Sequence, residues 1–242
     1  MSNINELMEY FSQQDIDHTF GQSQCLVSWN PAKCLIYVNI PKNASSWAKH
    51  HVSGYLFNYH TQAFYENVDI PGWPEHTKNA QYVVILREPV DRWVTGLAQR
   101  LHGAGPQDPM HINNIDWNMV FDRVVFDDHT HPQCDFIKGI DHAKIIWLRC
   151  DRHLAKNFGG ILEQFTGTPF NLTTQDQDPT NVFNITKKIK PTVTKLFTTE
   201  SQQNIVDRIN EKISSDPKYL NRLHSYYQED YDLFNSVKFY QA

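Results

Sequence analysis

A lysine and two serines are concentrated in the segment Pro41–Trp47, with the sequence PKNASSW, at a turn between a predicted strand and a predicted helix. A helix N-terminus presents unpaired backbone N–H groups and the positive end of the helix dipole, so such a turn can bind an anion. Small residues let a phosphate approach the backbone, the hydroxyls of Ser45 and Ser46 add donors, and Lys42 adds a positive charge. The alternative is an ordinary turn with a solvated lysine.

A second set of polar residues follows another predicted strand. Arg87 comes directly after the apolar run Gln81–Leu86, and Thr95 lies eight positions further on, in the helix predicted next. A guanidinium at the end of a strand can hold a phosphate dianion through two parallel hydrogen bonds. The alternative is an amphipathic helix on which Glu88 and Arg92 form a surface ion pair. Two such junctions in succession favour phosphate binding at both.

Three apolar runs of strand length, each followed by a helical pattern, position these residues. The predicted strands are Lys33–Ile40, Gln81–Leu86 and Lys144–Arg149. The predicted helices begin at Ser45 and Pro89 and cover Asn114–Val125, Asp151–Gln164, Thr199–Ile213 and Pro217–Phe234, the last with Asp216 as N-cap. Alternating strands and helices predict a three-layer α/β/α domain with a central parallel sheet over residues 31–242. Residues 1–30 form a polar lead-in to the same domain, with one helix over Asn5–Gln13.

Composition excludes several classes of protein. The chain has 242 residues, with 22 Lys and Arg against 27 Asp and Glu, and its formal net charge of −5 argues against a nucleic-acid partner. The longest apolar runs are far shorter than the roughly 20 residues of a membrane span, and the N-terminus lacks a signal-sequence pattern. Four scattered cysteines do not suggest a disulfide framework. We therefore expect a cytoplasmic protein without a membrane partner, and the sequence does not indicate its oligomeric state.

The motifs of known anion-binding loops further restrict the class of protein to which this chain could belong. None of the 10 glycines is followed by lysine, so a Walker A loop is absent, and no G-x-G-x-x-G occurs. The PKNASSW segment instead resembles the 5′-phosphosulfate loop of sulfotransferases, P-K-x-[GA]-[ST]-[ST]. Arg87 and Thr95 match the Arg and Ser with which that family binds the 3′-phosphate of its donor, 3′-phosphoadenosine 5′-phosphosulfate (PAPS). Threonine keeps the hydroxyl of the serine that the family has there.

Further segments resemble the carbohydrate branch of the sulfotransferases. Asp128–Gln133 and Asp135–Gly139 resemble its [DE]-H-x-x-P-Q and D-F-I-G strings, apart from the inserted Lys138, and Tyr227–Phe234 resembles its closing helix Y-x-x-D-Y-x-L-F. The resemblance covers most of the chain and implies a P-loop-NTPase-like sulfotransferase fold. It also implies PAPS as co-substrate, 3′-phosphoadenosine 5′-phosphate (PAP) as product, no metal, and an acceptor hydroxyl on a glycan.

The resemblance also assigns roles to individual residues. The implied donor-binding residues are Pro41, Lys42, Asn43, Ala44, Ser45, Ser46, Trp47, Arg87 and Thr95. Lys42 would stabilise negative charge on the bridging oxygen of the leaving group. His129 is the first candidate for the general base and His131 the second, because the ordinary pKa of histidine suits proton transfer near neutral pH. His129 could instead orient its loop or donate a hydrogen bond to the substrate, and His60 and His76 are further candidates for the base.

Three alternative interpretations stay open. The spacing His129-x-His131-x-x-Cys134, with Asp127 and Asp128 beside it, contains metal-ligand types but matches no familiar zinc pattern. A nucleotide kinase with a divergent phosphate loop would share the architecture. A glycan- or nucleotide-binding protein without catalytic activity would also retain the same fold.

Overall fold

The computed structural model describes residues 23–28, 35–45, 47–48, 60–62, 80–167 and 202–242, with the backbone alone for 23–28 and 60–62. Ser46, His76 and the predicted helix Asn5–Gln13 lie outside these residues, as does the side chain of His60. The described residues form two compact units. One contains those within 23–86, 136–167 and 238–242, and the other those within 87–135 and 202–237.

A five-stranded sheet belongs to the first unit. Its strands are β1 (Ser23–Ser28), β2 (Leu35–Asn39), β3 (His60–Gln62), β4 (Gln81–Leu86) and β5 (Ile145–Arg149), in the order β3-β1-β2-β4-β5. β2, β4 and β5 are parallel, which confirms the three predicted strands. β1 pairs antiparallel with both β2 and β3, so the sheet is mixed, and the predicted parallel arrangement holds for β2, β4 and β5 but does not extend to β1 and β3. The short, half-polar sequence SQCLVS of β1 lacks the apolar run that identified the other strands, and it falls in the predicted lead-in.

Six α-helices lie wholly within the described residues. They are α1 (Pro89–His102), α2 (Trp117–Arg123), α3 (Leu154–Thr166), α4 (Gln202–Ser215), α5 (Pro217–Tyr226) and α6 (Gln228–Ser236). Short 3-10 helices occupy Cys134–Ile137 and His142–Lys144, and helical backbone also begins at Ser45, after β2. None of the helices in the described parts has the length and apolar character needed to cross a membrane.

The ends of several helices follow the local signals in the sequence. Pro89 is the first residue of α1 and Gly103 its C-cap, and Asp216 caps α5 by accepting the N–H of Lys218 at 3.0 Å. The predicted helix Pro217–Phe234 is instead two helices, α5 and α6, which meet at Tyr227. Tyr227 is 1% exposed and its hydroxyl donates to the carbonyl of Thr130. A buried tertiary contact thus accompanies the break.

Each unit has its own core. In the first, β2 and β4 are almost completely buried, as expected for strands covered on both faces, and Phe158 of α3 packs against Tyr37 of β2 with ring centroids 6.0 Å apart. In the second, α1 and α4 each contribute apolar residues spaced by four positions: Trp93, Leu97 and Leu101, and Ile205, Ile209 and Ile213. The indole N–H of Trp93 donates to the carbonyl of Val124 at 2.7 Å, so this buried donor is satisfied.

Candidate functional site

The turn after β2 has an unusual backbone. Lys42 and Ala44 have positive φ angles, 70° and 56°, although neither is glycine. The N–H of Asn43 donates to the carbonyl of Ile40 at 3.3 Å, and the N–H of Ala48 donates to the carbonyl of Ala44 at 2.9 Å as the helix begins. Because glycine adopts positive φ at no steric cost, this geometry explains why the sequence pattern accepts Gly or Ala at position 44.

Asn43 anchors this turn to the neighbouring strand. Its side chain is fully buried, and its Nδ2 donates to the carbonyl of Ile85 in β4 at 2.7 Å. The bond ties the turn to the sheet from within the protein. Asn43 is among the residues predicted to bind the donor, and its side-chain amide lies in the protein interior.

The other residues of the turn divide between the core and the surface. Trp47 is fully buried, its ring 5.5 Å from that of Phe158, and Ala44 packs in the same core. The half-buried residues are Pro41, Lys42 and Ser45. Among the polar side chains of the turn that the structure describes, those of Lys42 and Ser45 therefore keep access to solvent. The indole of Trp47, by contrast, is enclosed by the core.

The predicted pair at the start of α1 is brought together. Nη1 of Arg87 donates to Oγ1 of Thr95 at 3.3 Å, and the single hydroxyl proton of Thr95 has two acceptors within reach, the carbonyls of Asp91 and Arg92 at 3.1 and 2.9 Å from Oγ1. Both Arg87 and Thr95 are half-buried. The spacing of eight residues thus places a guanidinium beside a hydroxyl, as the sequence pattern requires.

Side chains close the N-terminus of α1. Glu88 is its N-cap and accepts the N–H of Asp91 through Oε2 at 2.6 Å, while the hydroxyl of Tyr231 donates to Oε1. Burial and the hydrogen bond to Glu88 raise the pKa of Tyr231, which therefore stays protonated at neutral pH. The capped end holds Arg87 where the chain leaves β4.

Arg92 is a buried cation and not a partner in a surface ion pair. It is 1% exposed, and its guanidinium donates to the carbonyls of His131 and of Asp128, the latter at 3.0 Å. Burial lowers the pKa of Arg92 to about 10, while the nearby carboxylate of Asp230 favours the charged form. Arg92 is therefore charged at neutral pH and holds the segment that contains both candidate histidines.

His129 lies between two carboxylates. Its Nδ1 is 2.7 Å from Oδ1 of Asp128 and 3.5 Å from Oδ1 of Asp127, and its Nε2 is 3.2 Å from the amide nitrogen of Gln99. Burial alone would lower the pKa of His129, but the hydrogen bonds and charges of the two aspartates outweigh it and raise this pKa to about 9. The raised pKa favours the protonated imidazole at neutral pH, with Nδ1 directed at the carboxylate of Asp128.

His131 and Cys134 have partners of their own. Nδ1 of His131 is 3.0 Å from Oδ2 of Asp135, and Sγ of Cys134 is 3.8 Å from Oε2 of Glu229. The potential metal ligands that cluster within the described residues are Asp127, Asp128 and His129, all within 4.8 Å of one another. His129, His131 and Cys134 thus do not come together as one set of metal ligands.

Gly96 of α1 fits directly against the His129 segment. A Cβ at this position would lie 2.3 Å from the carbonyl oxygen of His129, a distance that only a shift of the backbone could relieve. The sequence does not single out this glycine, because an isolated Gly within a helical pattern carries no local sign of the segment that packs on it. Gly96 therefore allows α1 and the His129 segment to approach closely.

The sequence as a whole matches a protein family. A family model described as the sulfotransferase family covers residues 27–240. The chain belongs to the sulfotransferase family. No curated protein and no solved structure shows a significant match to it. Membership supports sulfuryl transfer in general and implies an acceptor substrate, and the mixed α/β organisation is consistent with it.

Proposed function

We propose that this sulfotransferase uses PAPS as its donor and a carbohydrate hydroxyl as its acceptor. The observation that carries the proposal is the contact of 3.3 Å between Nη1 of Arg87 and Oγ1 of Thr95. It joins the two residues that the sequence pattern assigns to the 3′-phosphate, and a guanidinium beside a hydroxyl is a donor set that suits a phosphate dianion. A nucleotide without a 3′-phosphate would leave this pair unused.

The turn after β2 has the chemistry to hold the 5′ end of such a donor. Lys42 supplies a positive charge, Ser45 a hydroxyl, and the start of the helix its backbone N–H groups. The buried side chains of Asn43 and Trp47 hold the turn from inside the protein, so these groups are oriented before a ligand binds.

PAPS, when bound, supplies a sulfuryl group that is already activated for transfer. Lys42 would stabilise the negative charge that develops on the oxygen of the leaving group. Arg87 and Thr95 would orient the donor through its remote phosphate and take no part in bond cleavage. Since a sulfuryl group carries less charge than a γ-phosphate, these roles require no metal ion.

Proton transfer from the acceptor hydroxyl requires a base. Because the raised pKa of His129 favours its protonated form and Asp128 lies against its Nδ1, we assign it the role of orienting its loop and give the general-base role to His131. Asp135 holds Nδ1 of His131, which orients the ring so that Nε2 would receive the proton. In the wild type, we expect kcat to rise with pH as the base loses its proton. This rise should be lost in His131→Ala and kept in His129→Ala. The opposite result would identify His129 as the general base.

The choice of a carbohydrate acceptor rests on the segments that resemble the carbohydrate branch. Two of these segments contact each other: Tyr227 and Asp230, from the closing string, bond to Thr130 and to Gln133 of the histidine string. These hydrogen bonds support the view that the two sequence segments form one structural feature of the protein.

Calorimetric titration tests the donor. We expect PAP to bind much more tightly than adenosine 5′-phosphate (AMP), and Arg87→Lys to reduce that preference about tenfold, because lysine cannot form the bidentate contact. Arg100→Lys, at an exposed arginine of α1, is the matched control. Equal affinity for the two nucleotides, or magnesium-dependent turnover of ATP, would contradict the proposal.

A transfer assay tests the acceptor. Labelled PAPS is incubated with a panel of glycans and, separately, with a simple phenol, and transfer of label to glycan hydroxyls is expected. Transfer to the phenol alone would overturn the carbohydrate assignment but leave the donor assignment intact. Binding of PAP without transfer to any acceptor would favour a protein that binds the nucleotide without catalysis.

A further inference from the structure

Gln133 contacts both backbone polar groups of Arg87. The N–H of Arg87 donates to Oε1 of Gln133 at 3.0 Å, and Nε2 of Gln133 donates to the carbonyl of Arg87 at 2.9 Å. The Gln133 side chain is fully buried. One amide therefore fixes the peptide groups on both sides of the Arg87 Cα, at the point where the pairing of β4 with β5 ends at Leu86.

A buried carboxylate holds Gln133 in turn. The N–H of Gln133 donates to Oδ2 of Asp230 at 2.8 Å, and the N–H of Cys134 donates to Oδ1 at the same distance. Asp230 is 1% exposed and lies in the first turn of α6, 97 residues along the chain from Gln133. The carboxylate of Asp230 in turn favours the charged form of the nearby Arg92 guanidinium. Both oxygens of the buried carboxylate are thus occupied.

We propose that Gln133 is a positioning residue that directs the Arg87 side chain toward the 3′-phosphate of the donor, with Asp230 holding Gln133 in place. The inference rests on the proposed function, because it assumes that Arg87 binds that phosphate. Gln133 itself is enclosed by protein and acts through the backbone of Arg87.

The physical reason is pre-organisation. With its N–H and carbonyl both bound, the backbone of Arg87 is fixed, and the far end of its side chain contacts Thr95. A planar guanidinium binds a dianion well only in the correct orientation, so a small rotation of the backbone would weaken both hydrogen bonds. Loss of Gln133 should therefore weaken recognition of the 3′-phosphate and spare the rest of the nucleotide.

The experiment compares PAP with AMP in calorimetric titrations of the full chain. The dissociation constant of AMP divided by that of PAP isolates the contribution of the 3′-phosphate, and a smaller ratio means weaker recognition of that phosphate. We expect Gln133→Met, which keeps the length of the side chain but removes its hydrogen bonds, to reduce this ratio about tenfold, as when a charge-assisted hydrogen bond is weakened. Gln203→Met, an exposed glutamine of α4, is the matched control and should leave the ratio unchanged.

A double-mutant cycle separates positioning from a merely structural role. If Gln133 acts through Arg87, adding Gln133→Met to Arg87→Lys should reduce the ratio little further. In transfer kinetics, Gln133→Met should raise KM for PAPS and leave kcat and KM for the acceptor unchanged. Equal losses of affinity for PAP and AMP, or additive effects in the cycle, would overturn the proposal.

Three further results are covered by the same experiment. If Gln133→Met does not fold, Gln133→Asn, which keeps the amide but shortens the side chain by one methylene, is judged by the same ratio, and a decrease is again expected. If the wild-type protein binds PAP and AMP equally, the proposed donor fails and the positioning role fails with it. A wild-type preference for PAP that persists unchanged in both Gln133 variants rejects the positioning role alone.

Discussion

The two strand–helix junctions with candidate phosphate-binding residues are stabilised in different ways. After β2, the chain turns through two non-glycine residues with positive φ, Lys42 and Ala44. After β4, no described residue of the junction or of α1 has positive φ, and the constraint comes from side chains. Glu88 caps the helix, and Gln133 binds the backbone of Arg87.

The residues that stabilise the two junctions lie at different distances from them along the sequence. The first turn uses bonds within a few residues and one buried amide, Asn43, which reaches β4. The second depends on Gln133, 46 residues away, and on Tyr231, 143 residues away. We therefore expect changes in the first junction to act locally on the chemistry, and changes around the second to act through folding and donor affinity.

The largest effect is expected at Lys42. Lys42→Ala should lower the single-turnover rate of sulfuryl transfer by about a thousandfold or more, because it removes the positive charge proposed to stabilise the leaving group. The affinity for PAP should change much less. Lys212→Ala, on an exposed face of α4, serves as the control. An unchanged rate in Lys42→Ala would exclude the proposed mechanism.

Next in size is the loss of the buried cation beside the second junction. Arg92→Met should lower the free energy of unfolding by about 3 kcal/mol, because it leaves two part-buried carbonyls and the Asp230 carboxylate without their cation. Urea denaturation measures the change, and Arg100→Met should stay within about 0.5 kcal/mol of the wild type. A loss at Arg92 no larger than at Arg100 would show that the second junction does not depend on this network.

A matched pair of glycines tests the contact between α1 and the His129 segment. Gly96→Ala should lower the free energy of unfolding by about 2 kcal/mol, because the new methyl would collide with the carbonyl of His129. Gly105→Ala adds the same methyl where nothing lies within 4 Å and should be close to neutral. Equal effects of the two changes in denaturation experiments would contradict the packing described here.

The raised pKa of His129 predicts a pH dependence of stability. Its pKa is about 9 in the folded protein and near 6.5 when unfolded, so its contribution is fully present below pH 6.5 and is lost as the pH rises through 9. His129→Gln should be about 1 kcal/mol less stable than the wild type at pH 6. That difference should disappear by pH 10, as followed by denaturation across this range. A constant difference would argue against the ion pairs with Asp127 and Asp128.

The smallest effect is expected in the backbone of the first turn. Ala44→Gly should change the free energy of unfolding by less than about 0.5 kcal/mol, because relief of the positive φ, worth about 1 kcal/mol, offsets the loss of a buried methyl, worth about 0.8 kcal/mol. Ala98→Gly, at a buried position inside α1, has no such compensation and should cost about 1 to 2 kcal/mol. Equal losses at both positions would show that the positive φ of Ala44 stores no strain.

Residues that are close together in the sequence were sufficient to predict much of the first junction and the ends of several elements. The apolar runs located β2, β4 and β5, and Pro89 and Asp216 marked the starts of helices, because strand burial and helix capping depend on a few adjacent residues. The position of β1 could not be predicted in this way, since its mixed sequence shows no period and its place depends on pairing with β2 and β3.

The sequence by itself determined the motif residues and their spacing, including the eight positions that bring Arg87 and Thr95 together. Only the tertiary structure decided that Arg92 is buried, that Asn43 reaches β4, and that Gln133 binds the backbone of Arg87. The physical reason is that a helix fixes distances between nearby residues through its own backbone. A buried polar side chain, by contrast, takes whichever unsatisfied partner the packed chain brings within hydrogen-bond distance.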